Sequence, residues 1–309
     1  MIYDITHVTE FDYEERVSVS HHIARLTPRR SPRQTPLAHT WTFDPAPAVL
    51  REHQDVFGNP VAFFAMQGPH RRLSVTSRAA VDVAAPTPLP ARSPAWETVR
   101  DGVDALPIDV FDFVADSPLV ASGPAYAAYA AASFPPGRAI VDGLVDLTHR
   151  LHEDLEFAPG ATTIATPVAE VFRQRSGVCQ DFAHLQIACL RSLGLPARYV
   201  SGYLETSPPP DEPRLVGADA SHAWIALYVP DIGWIDADPT NDRVPVDRHV
   251  TLAWGRDYAD VSPIRGVIHG GGEQRTRVAV DIVRRVSGLP NYPALRGSGG
   301  GVRMACTVC

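Results

Sequence analysis

The chain has 309 residues, of which 45% are hydrophobic and 20% charged, and carries a formal net charge of −7. That balance is ordinary for a globular protein with enough apolar material for two domains, and its acidity argues against nucleic acid or an anionic membrane as a main partner. No run approaches the roughly 18 apolar residues of a membrane span. The opening Met1-Ile2-Tyr3-Asp4-Ile5-Thr6-His7 lacks the basic and apolar regions of a signal peptide, so the expected location is cytoplasmic.

Residues 1–85 read as an antiparallel, β-sandwich-like domain. Tyr3, Ile5, His7, Thr9, Phe11 and Tyr13 alternate with more polar neighbours, as do Val17, Val19, His21 and Ile23, and later Leu73, Val75, Ser77, Ala79, Val81 and Val83. Asp55-Val56-Phe57-Gly58-Asn59-Pro60 carries turn chemistry between two apolar runs. His7, His21, His22 and His70 lack metal-ligand spacing and read as packed or solvated strand residues. Residues 86–98 are proline-rich and form a connector. Residues 99–286 read as a helical segment followed by the main α+β core. Within them, Ile140, Leu144, Leu147, Leu151 and Leu155 mark one face of a helix over about 137–152. Thr166-Pro167 starts a short helix, with proline expected at its first position.

Ser176-Gly177-Val178-Cys179 then turns into an apolar helix that ends at Leu193-Gly194-Leu195-Pro196. A cysteine in the first turn faces unsatisfied backbone N–H groups and the positive end of the helix dipole, an environment that favours a thiolate. Residues 197–204 form a strand, and residues 206–219 a proline-rich and acidic loop that precedes His222. In Ser221-His222-Ala223-Trp224-Ile225-Ala226-Leu227-Tyr228 alternation places His222 and Trp224 on one face. The strand beginning at Trp234 returns after a turn. If Tyr228 pairs with Trp234, Asp238 falls diagonal to His222 on that same face; a slip of one residue turns it away. The first register is the one expected. Asp236 shares the parity of Asp238 and competes with it. Residues 249–256 and 274–286 read as further strands, with an ion pair between Arg256 and Asp257 expected to pin the loop under the sheet, and residues 287–309 as a disordered tail.

Cysteine, histidine and aspartate in this order suit thiol acyl transfer, with the imidazole taking the thiol proton and the carboxylate fixing its tautomer. Gly177-Val178-Cys179-Gln180-Asp181, Ser221-His222-Ala223-Trp224 and Trp234 through Asp238-Pro239-Thr240-Asn241 together resemble the transglutaminase-like core of bacterial proteins, a branch of the papain-like fold. The first 83 or so residues, including Arg25-Leu26-Thr27-Pro28-Arg29 and Phe57-Gly58-Asn59, resemble the N-terminal domain that precedes this core. The resemblance implies a central helix packed on an antiparallel sheet, with Cys179 as nucleophile, His222 as base and acid, and Asp238 as orienter. It implies a protein or peptide substrate with a glutamine side chain or other amide and water or an amine as acceptor; the acidic charge balance leaves neither nucleic acid nor membrane as an expected partner. A cysteine peptidase or amidase on the same core is the alternative, as is a protein-binding module without catalysis.

The backbone N–H of Cys179 is one candidate oxyanion donor. Animal transglutaminases place a tryptophan upstream of the cysteine, but none lies between Trp96 and Cys179, which leaves Gln174 and Gln180 as candidates for the second donor. No acidic loop has calcium-binding spacing, and no cofactor or metal is expected. A zinc site from Cys179, His184 and His222 is disfavoured, since five positions along a helix turn His184 away from Cys179. The remaining cysteines do not form a disulfide framework: Cys189 reads as packing, and Cys306 and Cys309 as part of the tail. Every basic residue other than histidine is arginine, so the chain cannot cross-link itself through a lysine.

Overall fold

The computed structural model describes residues 1–205, 221–244, 246 and 248–285. The loop at 206–219 and the tail from 287, with Cys306 and Cys309, lie outside the described residues. The first strands are long. β1 (Ile2–Ala24) and β4 (Pro60–Val83) run antiparallel, with β2 (Gln34–Asp44) beside the second half of β4 and β3 (Val49–Gln54) beside its first half. Every second residue from Tyr3 to Tyr13 is buried, as the two-residue period requires of a sheet with one covered face. The β1–β4 register shifts between Asp12 and Val17 and again before Val19. Such irregularities bend a sheet, and Phe11, Val17, Phe64 and Leu73 close into one cluster across the bend. The sandwich-like character therefore comes from a single six-stranded sheet folded on itself.

Beyond the connector lie α1 (Trp96–Asp101), a 3-10 turn at Val103–Ala105, α2 (Ile108–Phe111) and α3 (Pro124–Ala131). In α4 (Ile140–Asp154) the buried residues include Ile140, Leu144, Leu147 and Leu151, the stripe expected from the sequence. β5 (Glu156–Phe157) precedes α5 (Val168–Gln174) and pairs in parallel with β6 (Ser176–Gly177). Pro167 stands at the cap of α5, one place earlier than expected.

β6 leads directly into α6 (Cys179–Ser192), in which every residue from Cys179 to Arg191 is buried. Gly194 (φ 75°) closes the helix: its N–H donates to Arg191 O at 2.9 Å and that of Leu195 to Leu190 O at 3.0 Å, the paired bonds that satisfy the last carbonyls. α6 lies on a four-stranded sheet of order β10-β7-β8-β9, built from β7 (Ala197–Leu204), β8 (Ser221–Val229), β9 (Gly233–Ala237) and β10 (His249–Gly255). Ala223, Ile225, Leu227 and Val229 join the α6 core, whereas Trp224 and Ala226 pack on the opposite face. Tyr228 pairs with Trp234, the register that turns Asp238 toward the His222 face.

The last strands depart from the expected domain division. After α7 (Tyr258–Val261), β11 (Ile264–Gly270) and β12 (Gln274–Arg284) pair with β1, so residues 264–284 complete the N-terminal sheet rather than the core in which 99–286 had placed them. Arg256 pairs with Asp260 (Nε–Oδ2 2.9 Å) and not with Asp257, whose carboxylate caps α7 through Ala259 N (2.8 Å) and accepts from Leu119 N (2.8 Å). A helix cap draws Asp257 inward, and the four-residue offset suits Arg256 to Asp260. β10 is the edge strand of the core sheet, and two buried amides cover that edge. Gln34 accepts from Thr251 N (2.8 Å) and donates to Thr251 O (2.7 Å); Asn59 accepts from Trp254 N (2.9 Å) and donates to Trp254 O (2.8 Å).

Candidate active site

Two features prepare the turn before Cys179. The Asp181 carboxylate accepts from Val178 N (2.8 Å) and from Thr162 Oγ1 (2.6 Å), fixing the first turn of α6. A Cβ on Gly177 would stand 2.6 Å from that carboxylate, so only glycine fits there. Burial raises the Asp181 pKa above the ordinary carboxylate value, against the pull of those two hydrogen bonds. Cys179 itself is fully buried.

The direction of α6 follows from its other end. Arg191 donates to Ala197 O (2.9 Å) at the start of β7, and the His184 ring lies 5.0 Å from that of Tyr199. The run from Arg191 back to Cys179 is about 18 Å at 1.5 Å per residue, a span that along β7 ends near Gly202 at about 3.3 Å per residue. Gly202 pairs with His222. The N-terminus of α6 thus points to the end of the sheet where β8 begins.

His222 and Asp238 meet directly. His222 Nε2 lies 2.7 Å from Asp238 Oδ2, with the carboxylate completely buried. Four further donors converge on that carboxylate: His249 Nε2 (2.9 Å) and Asn241 Nδ2 (2.7 Å) at Oδ2, and the backbone N–H groups of Thr240 (3.0 Å) and Asn241 (3.3 Å) at Oδ1. Burial alone would raise the carboxyl pKa, yet the two histidines together hold it well below the ordinary range. An ionised Asp238 makes Nε2 the protonated nitrogen of His222 and leaves Nδ1 as its basic site. Trp224 supports the pair, stacking 6.1 Å from His222 and edge-on to His249 at 4.8 Å. A Cβ on Gly202 would stand 2.6 Å from the Trp224 ring and 2.1 Å from Val250 O, which makes that position glycine-only as well.

Of the residues singled out from the sequence, His222 and Asp238 are brought into hydrogen bonding, and Cys179 is set at the neighbouring helix end. Asp236 lies on the same face but beside Arg198, whose charge opposes the rise that burial gives its carboxyl. Gln174 Nε2 donates to Ser176 O (2.9 Å) and Gln180 Nε2 to Ile164 O (3.3 Å), so both candidate oxyanion amides are engaged with local backbone. His249 and Asn241 were not foreseen. Asn241 stood in the motif without a role; His249 reaches Asp238 only because β10 lies beside β7, and strand order leaves no trace in alternation. His222, Asp238 and His249 are also a group whose ligand atoms lie within 4.8 Å of one another, but their nitrogens already share one carboxylate oxygen.

Residues 3–82 match the bacterial transglutaminase-like N-terminal region, and residues 136–239 match the transglutaminase-like superfamily core. The uncharacterized protein Rv2569c of Mycobacterium tuberculosis is 44% identical over 292 residues, covering 91% of this chain and 92% of its own. The chain belongs to the transglutaminase-like superfamily. The uncharacterized protein ML0607 of Mycobacterium leprae is 34% identical over 287 residues, 91% of this chain and 98% of its own. A protein-glutamine gamma-glutamyltransferase of Pseudomonas aeruginosa is 35% identical over 104 residues, 31% of this chain and 15% of that protein. The crystal structure of a candidate cysteine protease from Cytophaga hutchinsonii has the same fold, with a TM-score of 0.72 at 22% identity over 95% of this chain and 94% of that one. The matched transglutaminase-like core contains Cys179, His222 and Asp238 and ends before His249.

Proposed function

We propose that this transglutaminase-like protein is a thiol-dependent acyltransferase or hydrolase acting on protein or peptide amides. The observation that carries the reading is the 2.7 Å bond from His222 Nε2 to Asp238 Oδ2, at the end of the sheet toward which the Cys179 turn points. With Nε2 occupied, Nδ1 of His222 accepts the Cys179 proton. The sulfur attacks the amide carbonyl, and the tetrahedral intermediate collapses to a thioester as the imidazolium protonates the departing ammonia or amine. Water or a second amine then takes the acyl group and returns the thiol. The backbone N–H of Cys179, at the positive end of α6, is the oxyanion donor offered by this chain.

The test is to incubate the protein with a glutamine-containing peptide, with and without a primary amine, and to follow product masses. Amine addition with loss of ammonia identifies a transferase, a gain of about one mass unit deamidation, and backbone cleavage a peptidase. Absence of all three, or their persistence in Cys179→Ala, overturns the proposal. A second reading, cysteine peptidase or amidase, is supported by the fold shared with the Cytophaga hutchinsonii protein.

A further inference from the structure

The face of the core sheet turned away from α6 holds a cavity of about 730 Å³ between β9, β10, the segment around Arg29 and the connector. Its volume is that of a small-molecule site. At its wall, the Arg198 guanidinium lies 3.7 Å from the Trp254 ring centre and 4.0 Å from that of Trp234. Arg29 lies on Trp254 as well, at 3.0 Å. Arg198 is only 7% exposed, and its Nε has no hydrogen-bond partner among the described residues.

Burying a guanidinium costs several kcal/mol unless its N–H groups are hydrogen-bonded, and two aromatic faces stabilise its charge without satisfying those donors. Arg29 differs, since its terminal nitrogens bond Asn59 Oδ1 and lie near Phe57 O. Arg33 likewise donates to Val246 O (3.0 Å). All three guanidinium groups leave Nε unpaired, but among the described residues Arg198 alone of them donates no hydrogen bond, with Asp236 as its neighbouring carboxyl. Burial lowers its pKa to about 9, which still leaves it charged at neutral pH.

We propose that this cavity binds a small organic carboxylate, with its head group on Arg198 and its apolar body against Phe113, Val200 and Val246. A guanidinium edge matches a carboxylate in geometry. Asp236, Asp109 and Asp112 also line the cavity, so a ligand with one negative charge is favoured over a dianion such as phosphate. The apolar lining selects a ligand with a hydrocarbon body over a bare ion. This site does not depend on the thiol chemistry and stands if Cys179 proves inert.

Isothermal titration of the full chain with octanoate, octanol, acetate and inorganic phosphate tests the proposal. Octanoate binds saturably and at least about tenfold more tightly than the other three, the ratio expected from a charge-assisted hydrogen bond. Arg198→Met weakens octanoate by a similar factor, and Asp112→Asn, which removes an exposed carboxylate from the cavity wall, tightens it. No saturable octanoate binding, octanol binding as well as octanoate, phosphate binding as tightly, or unchanged affinity in Arg198→Met overturns it. If Arg198→Met fails to fold, Asp112→Asn decides alone: tighter binding supports the site, and unchanged or weaker binding overturns it.

Discussion

Asp238 is the residue on which the candidate site turns. Two imidazoles, one side-chain amide and two backbone N–H groups converge on its two oxygens, so its charge is held within the core and fixes the Nε2 side of His222. Replacing it with asparagine keeps the shape but turns an acceptor-only group into one that also donates, and His222 then favours the other tautomer. Asp238→Asn should lower turnover by roughly 10⁴-fold, the size of effect seen when a triad carboxylate is so changed, with little change in the circular dichroism spectrum. Turnover within about threefold of the wild type would show that the carboxylate does not orient the base. His222 and Asp238 were legible from the sequence because both lie in one hairpin whose parity can be counted. His249 was not, since it joins them across strands whose order is decided by tertiary packing.

Among elements, α6 and the edge of β10 show how the site is held. The helix was legible at both ends, at Gly177 and at Gly194, because capping chemistry is local. The edge of β10 was not, because its partners are Gln34 and Asn59, far away in the chain. These amides satisfy the outward backbone N–H and C=O of Thr251 and Trp254, with Arg29 N as a second donor to Thr251 O (3.4 Å). Asn59→Ala should cost about 2–3 kcal/mol in urea unfolding, whereas replacing the exposed Val56 in the same turn should cost less than about 0.5 kcal/mol. Equal costs would mean that the amide clamp contributes nothing. Arg256 illustrates the same limit: adjacency suggested Asp257, but the short helix α7 brought Asp260 to it.

At the scale of the whole molecule, the last described strands return to the first, with β11 and β12 laid against β1. Alternation identified β12 as a strand without telling which sheet it joins, and β11, broken by Gly266 and Gly270, was not seen at all. The two halves meet through buried histidine as well as apolar packing: His7 of β1 lies 2.9 Å from the Tyr203 hydroxyl of β7. Burial lowers the pKa of His7 and of His22 to about 4; His184 and His249 shift in the same direction, chiefly through burial. Below about pH 6.5 the unfolded chain takes up these protons while the folded one does not, so stability is complete above that pH and is lost as pH falls toward 4. Each such histidine contributes a limiting slope of about 1.4 kcal/mol per pH unit. The melting temperature should therefore fall by at least about 5 °C between pH 7 and pH 5, and a flat profile in differential scanning calorimetry would contradict the buried, neutral histidines.

The thiol site itself is tested most directly by following carboxamidomethylation of Cys179 and Cys189 across pH 5–10 by peptide mapping, in the wild type and in His222→Ala. The two cysteines share one helix and are equally buried, and burial pushes the Cys189 thiol up to about 12. Reaction of Cys179 near neutral pH, well below the ordinary thiol value of about 8.5, lost in His222→Ala while Cys189 stays silent in both proteins, is the predicted result. A Cys179 as unreactive as Cys189, or a pH profile that His222→Ala leaves unchanged, would contradict it.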